Sequence, residues 1–106
     1  MSPLFWTIHC LDGADVTEQR KALGAEHSAH LKTARPAPLV YGPLLADDGE
    51  SGVGSLFIID APDRAAAERW VEADPFRRGG VWQEVRIHLF RQSANAPVQL
   101  PQSPAV

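Results

Sequence analysis

A single cysteine, Cys10, leaves this 106-residue chain without any intramolecular disulfide. A small domain without cross-links relies on packing or association, which fits a reducing compartment. No apolar run approaches the roughly 20 residues that a membrane-spanning helix needs. The first residues also lack a basic region leading into a long apolar stretch, so no export signal is read there and a cytoplasmic location is expected. Excess positive charge is missing too: 10 Lys and Arg against 13 Asp and Glu leave a formal charge of -3. The basic residues are scattered, and only Arg77 and Arg78 are adjacent. Nothing here forms the stripe that follows a nucleic-acid backbone. Neither nucleic acid nor membrane is expected as a partner, and no internal repeat is visible.

The chain has room for one domain with a modest core, and its 44% apolar content is that of a globular protein. Residues 4–11 (LFWTIHCL) are short, β-branched and aromatic, and they end at Asp12-Gly13, so they read as a strand. Residues 16–34 are rich in helix formers, with Asp15 or Thr17 as the expected cap. Val16, Leu23, His27, His30, Leu31 and Ala34 recur at three- and four-residue spacings and share one face of that helix. Pro36 and Pro38 end it. A second strand covers 39–45, with Gly42-Pro43 suited to a bulge or edge. A polar loop follows over 46–54, then a third strand over 55–61. Pro62 and Asp63 open a second helix that runs to Ala73 and turns Ala66, Ala67, Trp70 and Val71 inward. Asp74-Pro75-Phe76 closes it, and a fourth strand covers 81–90. The domain therefore spans 1–91, and the proline-bearing tail 92–106 is expected to be disordered.

The order β-α-β-β-α-β is the split βαβ arrangement. It predicts an α+β, ferredoxin-like fold with a four-stranded antiparallel sheet covered on one face by two helices. In the last strand Val81, Val85, Ile87 and Leu89 are expected to face the helices. Trp82 and Phe90, with Glu84, Arg86 and His88, then fall on the open face. In the first strand both alternating sets carry large apolar groups, Trp6 and Ile8 against Phe5 and Leu11. An open face with such aromatics calls for a second layer, so a homodimer through the sheets is expected.

The ordered set Gly42-Pro43-Leu44-Leu45, Gly54-Ser55-Leu56, Ala73-Asp74-Pro75-Phe76 and Gly79-Gly80-Val81 resembles the YCII-related family over about residues 4–91. In the first helix Arg20 and His27 match that family's spacing of an arginine seven residues before a histidine, so the site histidine carries over to His27 and not to His30. The resemblance implies a dimeric α+β barrel with a pocket between the first helix, the sheet face and the Asp74-Pro75 loop. It also implies, for some members, a histidine–aspartate pair, and relatives that act on chlorinated aromatic intermediates and lactones. One departure stands out: residues 33–39 (TARPAPL) lack the carboxylate that some members carry there. Asp74 is then the best remaining partner for His27, since Glu26 is too close in sequence to face it well.

Imidazole can take up and return a proton near neutral pH, as isomerisation or dehydrohalogenation requires. His27 with Asp74 is therefore the candidate catalytic pair, and Arg20, Trp6, Pro43 and Phe76 are the candidate substrate-binding residues. Arg20 would hold a substrate carboxylate or stabilise an enolate. Each has a plain alternative: a partly buried histidine bonded to backbone, a solvated arginine, a proline that merely ends a helix. His27 and His30 form an HxxH pair, but further metal ligands at defined spacing are missing, so no metal and no cofactor is expected. The resulting reading is a small lyase, dehydrohalogenase or isomerase acting on a small organic acid or aromatic-derived intermediate. The competing readings are a non-catalytic small-ligand or accessory dimeric module and a pure assembly domain.

Overall fold

A computed structural model describes residues 4–101. The element order is β1 (Leu4–Asp12), α1 (Thr17–Thr33), β2 (Val40–Leu45), β3 (Gly52–Ile59), α2 (Arg64–Glu72), α3 (Pro75–Arg78) and β4 (Trp82–Arg91). All strand pairings are antiparallel, in the sheet order β2-β3-β1-β4. This is the ferredoxin-like α+β fold expected from the sequence.

Alternation in the strands divides the sheet into two faces. Trp6, Ile8 and Cys10 of β1 and Phe57 and Ile59 of β3 meet Leu31 and Ala34 at the end of α1 and Ala67, Trp70 and Val71 of α2 in one buried cluster. The two tryptophans in this layer are satisfied at their polar ends: Trp6 donates to the Ala61 carbonyl at 3.1 Å and Trp70 to the Pro36 carbonyl at 2.8 Å. The inward face of α2 is the one its spacing predicts, and Asp63 caps that helix by accepting from the Ala66 amide at 2.8 Å.

Four expectations need correction. The α1 cap is Val16, without a side-chain bond, because Asp15 adopts the left-handed region at φ 59° and turns out of the capping position. The loop before β3 is shorter than expected, since the Asp48 carboxylate accepts from the amides of Glu50 and Ser51 at 2.8 and 2.9 Å and lets pairing start at Gly52. Asp74-Pro75-Phe76 does more than end α2: it opens the separate short helix α3, with proline in the first turn and Asp74 as cap. The last correction concerns Trp82. The β1–β4 ladder pairs Leu11 with Glu84 but Asp12 with Trp82, so Gln83 is the extra residue of a bulge. That insertion reverses the parity of the strand, and Trp82 points into the core instead of onto the open face.

The open face is consequently more polar than the sequence suggests. Trp82 has left it and Trp6 lies on the helix side, and it carries Thr7, His9 and Leu11 of β1, Leu56 of β3, and Glu84, Arg86 and His88 of β4. Phe5 pairs with Phe90 across the ladder there and is itself buried. Leu89 pairs with Trp6 and so lies on the helix side as expected, but near the end of the edge strand β4 it is 53% exposed. Beyond β4 the chain through Pro101 is tied down rather than loose. Gln92 is buried and bonds Gln99, its side-chain oxygen accepts the Leu100 amide at 2.9 Å, and Gln99 donates to the Ala96 carbonyl at 2.6 Å. The rest of the tail lies outside the described residues.

Candidate functional site

The helix period puts Arg20, Gly24, His27 and Leu31 on one side of α1, over the β2–β3 half of the sheet. Between them lies a cavity of about 550 Å³, closed from the sheet side by Tyr41, Pro43, Ser55 and Phe57 and at the end by Phe76. Gly24 leaves the helix wall low at its centre. Lys32, Ser28 and Gly42 complete the lining.

His27 is held from every side except the cavity. Its Nδ1 lies 2.8 Å from Asp74 Oδ1 and 3.0 Å from Oδ2. A carboxylate only accepts, so Nδ1 carries the proton and donates, and in the neutral imidazole the lone pair is then on Nε2. The imidazole stacks on Phe76 with ring centroids 4.0 Å apart and planes 11° from parallel. Trp82 meets it edge-on at 5.7 Å, and Phe57 does so at 6.5 Å. The inward turn of Trp82 at the bulge thus supplies one wall of the histidine's socket.

Asp74 sits behind His27, with only 1% of its side chain exposed, and not at the cavity entrance. Its Oδ1 also accepts the Phe76 amide at 2.9 Å. The structural and site-building readings of Asp74-Pro75-Phe76 therefore coincide: one carboxylate caps α3 and orients the imidazole. A buried carboxylate needs such donors, because an unpaired one carries a heavy desolvation penalty.

Arg20 approaches the same site from one end. Its Nη2 donates to the Gly54 carbonyl at 3.2 Å, its Nε lies 3.5 Å from Asp12 Oδ2, and its Cζ stands 5.0 Å from the centre of the Phe76 ring. Arg20 and Lys32 are the cations of the cavity lining, and that lining contains no carboxylate. In a chain of net charge -3 this is a local reversal that favours an anion.

Of the residues singled out in the sequence, the structure brings Arg20, His27, Pro43 and Phe76 to one cavity, with Asp74 in direct contact behind. Trp6 is the exception. It is a core residue on β1, bonded to Ala61 and covered by the Arg64 guanidinium at 5.4 Å, and it does not line the cavity. Tyr41, Lys32, Ser55 and Phe57 were missed. Tyr41 shares Pro43's side of β2, and Phe57 follows Ser55 at the same two-residue period, so strand alternation was the available signal. Among the described residues, no three His, Cys, Asp or Glu side chains converge as metal ligands would.

Comparison with known proteins gives a consistent picture. The family model of the YCII-related domain matches residues 4–91. Protein YciI of Escherichia coli O6:H1 is 30% identical over 99 residues, which covers 84% of this chain and 98% of that protein. An uncharacterized protein of Haemophilus influenzae is 29% identical over 96 residues, with the same coverage of 84% and 98%. Among solved structures, a 5-chloro-2-hydroxyhydroquinone dehydrochlorinase from Burkholderia phenoliruptrix, in complex with 2,5-dihydroxybenzoquinone, superposes with a TM-score of 0.75 at 24% identity. That match covers 84% of this chain and 95% of the other, and it reports on the fold.

Proposed function

The chain belongs to the YCII-related family, and from that premise we propose that it is a small enzyme using His27 for acid–base chemistry on a small planar organic anion. The observation that carries the reading is the His27 Nδ1 to Asp74 contact of 2.8 Å at the wall of a cavity without carboxylates. Nε2 takes a proton from a carbon or hydroxyl made acidic by a neighbouring carbonyl. The electron pair released forms a new double bond. In a dehydrohalogenation a halide leaves with the carbon–halogen pair; in an isomerisation the imidazolium returns the proton to a different carbon. Asp74 keeps the ring in the productive tautomer and offsets the charge of the imidazolium. Arg20 holds the substrate's anionic oxygen, and Pro43 and Phe76 border the ring of the substrate.

The dehydrochlorinase among the structural relatives supports the lyase version of this reading, and an acid of an aromatic-degradation sequence suits the Tyr41, Phe57 and Phe76 lining. The working form is a homodimer paired through the open sheet faces. Half-buried Leu11, Leu56 and Ile58 with exposed Val40 support that pairing. The free, buried Cys10 supports residence in the cytoplasm.

The test is a panel of chlorinated hydroquinones, hydroxylated benzoates and unsaturated lactone acids in deuterated buffer, followed by halide release and by proton NMR. Turnover or substrate deuteration that is lost in His27→Ala, with circular dichroism unchanged, is the expected result. Ligand retention with neither halide release nor deuteration in the wild-type protein replaces the enzyme with a binding module.

A further inference from the structure

Arginine is a long side chain with much rotamer freedom to lose, so an arginine that serves as a fixed anion donor needs a socket. Arg20 has one, and most of it comes from residues outside the His27 cavity. We infer that Asp12 and Gly52 are positioning residues that hold the Arg20 guanidinium against Phe76 and aim its remaining donors into the His27 cavity. The inference rests on Arg20 being the anion-holding group of the proposed function.

Asp12 closes β1 at the bulge opposite Trp82. Its side chain is 9% exposed, and Oδ2 faces Arg20 Nε. Oδ1 is buried without a hydrogen-bond partner, an arrangement that structural ion pairs avoid because the unmet oxygen is destabilising. Burial raises the pKa of Asp12 above the ordinary aspartate value, and Arg20 draws it back down.

Gly52 acts through its lack of a side chain. A Cβ at this position would stand 2.9 Å from Arg20 Nη2 and 3.0 Å from Nε. Both atoms are already committed, Nη2 to the Gly54 carbonyl and Nε to Asp12. The guanidinium would have to shift, loosening both contacts at once. As it lies, its Cζ stands 5.0 Å from the centre of Phe76, the ring that stacks on His27, and the contacts to Gly54 and Asp12 do not use Nη1. Arg20 also lines a second cavity of about 520 Å³ on its other side, together with Asp12, Thr17, Lys21 and Gly52. It is thus the partition between the two spaces. A guanidinium released from Asp12 can swing into the second space and abandon the first.

The experiment uses the full 15N-labelled chain, with the Arg20 Nε–Hε signal assigned through Arg20→Lys. Solvent exchange of Hε and rotation about the Nε–Cζ bond are measured in the wild type, Asp12→Asn and Gly52→Ala. Benzoate serves as the anionic probe, titrated by NMR. A slowly exchanging Hε in the wild type, accelerated about tenfold or more in both variants and accompanied by about tenfold weaker benzoate binding, is the expected outcome; tenfold corresponds to about 1.4 kcal/mol. Wild-type exchange rates in either folded variant overturn the socket. Loosened Arg20 with unchanged benzoate affinity upholds the socket and overturns the anion-holding role of Arg20, so the two failures read differently. The exchange arm decides the proposal by itself, and either variant suffices if the other does not fold.

Discussion

The imidazole of His27 lies flat on the ring of Phe76, with centroids 4.0 Å apart, while the Arg20 guanidinium stands 5.0 Å from the centre of that same ring. Seven residues of α1 separate His27 from Arg20, a rise of about 10 Å, and Phe76 fills the interval from a different element. The aromatic ring is delivered by α3, and α3 begins at Asp74, the residue that also holds His27 Nδ1. Helix cap, ring stack and histidine partner are consequently one structural unit.

Asp74→Asn tests that unit at its root. The amide retains the shape but can turn a donor toward Nδ1, which forces the imidazole into the other tautomer. Turnover is expected to fall by about two to four orders of magnitude, by analogy with the loss of an orienting carboxylate in catalytic triads. Stability is expected to fall by about 1–3 kcal/mol, because a buried hydrogen-bond network is broken. Urea denaturation separates the second effect from the first. An unaffected rate contradicts the orienting role.

Phe76 should behave as core and as site wall together. Phe76→Ala is expected to cost about 3–5 kcal/mol, as other buried aromatic truncations do. Phe76→Leu keeps most of the volume and removes the ring interactions, worth about 0.5–1.5 kcal/mol for a stacked pair. Benzoate affinity should drop in the leucine variant by more than its stability loss accounts for. Equal affinity in the two proteins removes Phe76 from the site.

Cys10 provides a chemical check on the packing of β1. Burial, reinforced by the Asp74 carboxylate, pushes its thiol up to about 12. It should resist a disulfide exchange reagent at pH 8 in the native protein and react fully in denaturant. A thiol whose folded value is raised favours the protonated form. Its contribution to stability is complete below the ordinary thiol range and is lost as pH rises toward 12. Rapid labelling of the native protein at pH 8 contradicts the burial of this strand.

Asp48 behaves in the opposite sense. The Ser51 hydroxyl and the amides of Ser51 and Glu50 hold its carboxylate down to about 2. Its support for the β2–β3 loop is present above the ordinary aspartate value and is lost as pH falls toward 2. A carboxyl 13C titration should place its midpoint near 2; an ordinary aspartate midpoint shows the loop to be open.

Much of this architecture was legible because its signals are local. The three- and four-residue spacing from Val16 to Ala34 put His27 on the inward face of α1, and the resemblance to the YCII-related family added Arg20 seven residues before it. Asp74 emerged as the partner by the absence of a carboxylate in 33–39. What escaped was long-range. Gln83 looks like any exposed strand residue, yet its insertion as a bulge turns Trp82 into the His27 socket. Trp6 is a candidate pocket residue in the sequence but a core residue in the structure, and since both alternating sets of β1 are apolar the period alone could not choose its face. The order in residues 92–101 comes from side-chain amides, Gln92 and Gln99 above all, which carry no hydrophobic pattern to read.

The most direct test of the account is the tautomer of His27, read from long-range 1H–15N correlation spectra once the imidazole is neutral. The account predicts a protonated Nδ1 and a bare Nε2 in the wild type, with that preference lost in Asp74→Asn. A wild-type signal with the proton on Nε2, as free histidine prefers, would mean that Nε2 has no lone pair to offer the cavity and would contradict the assignment of His27 as the base.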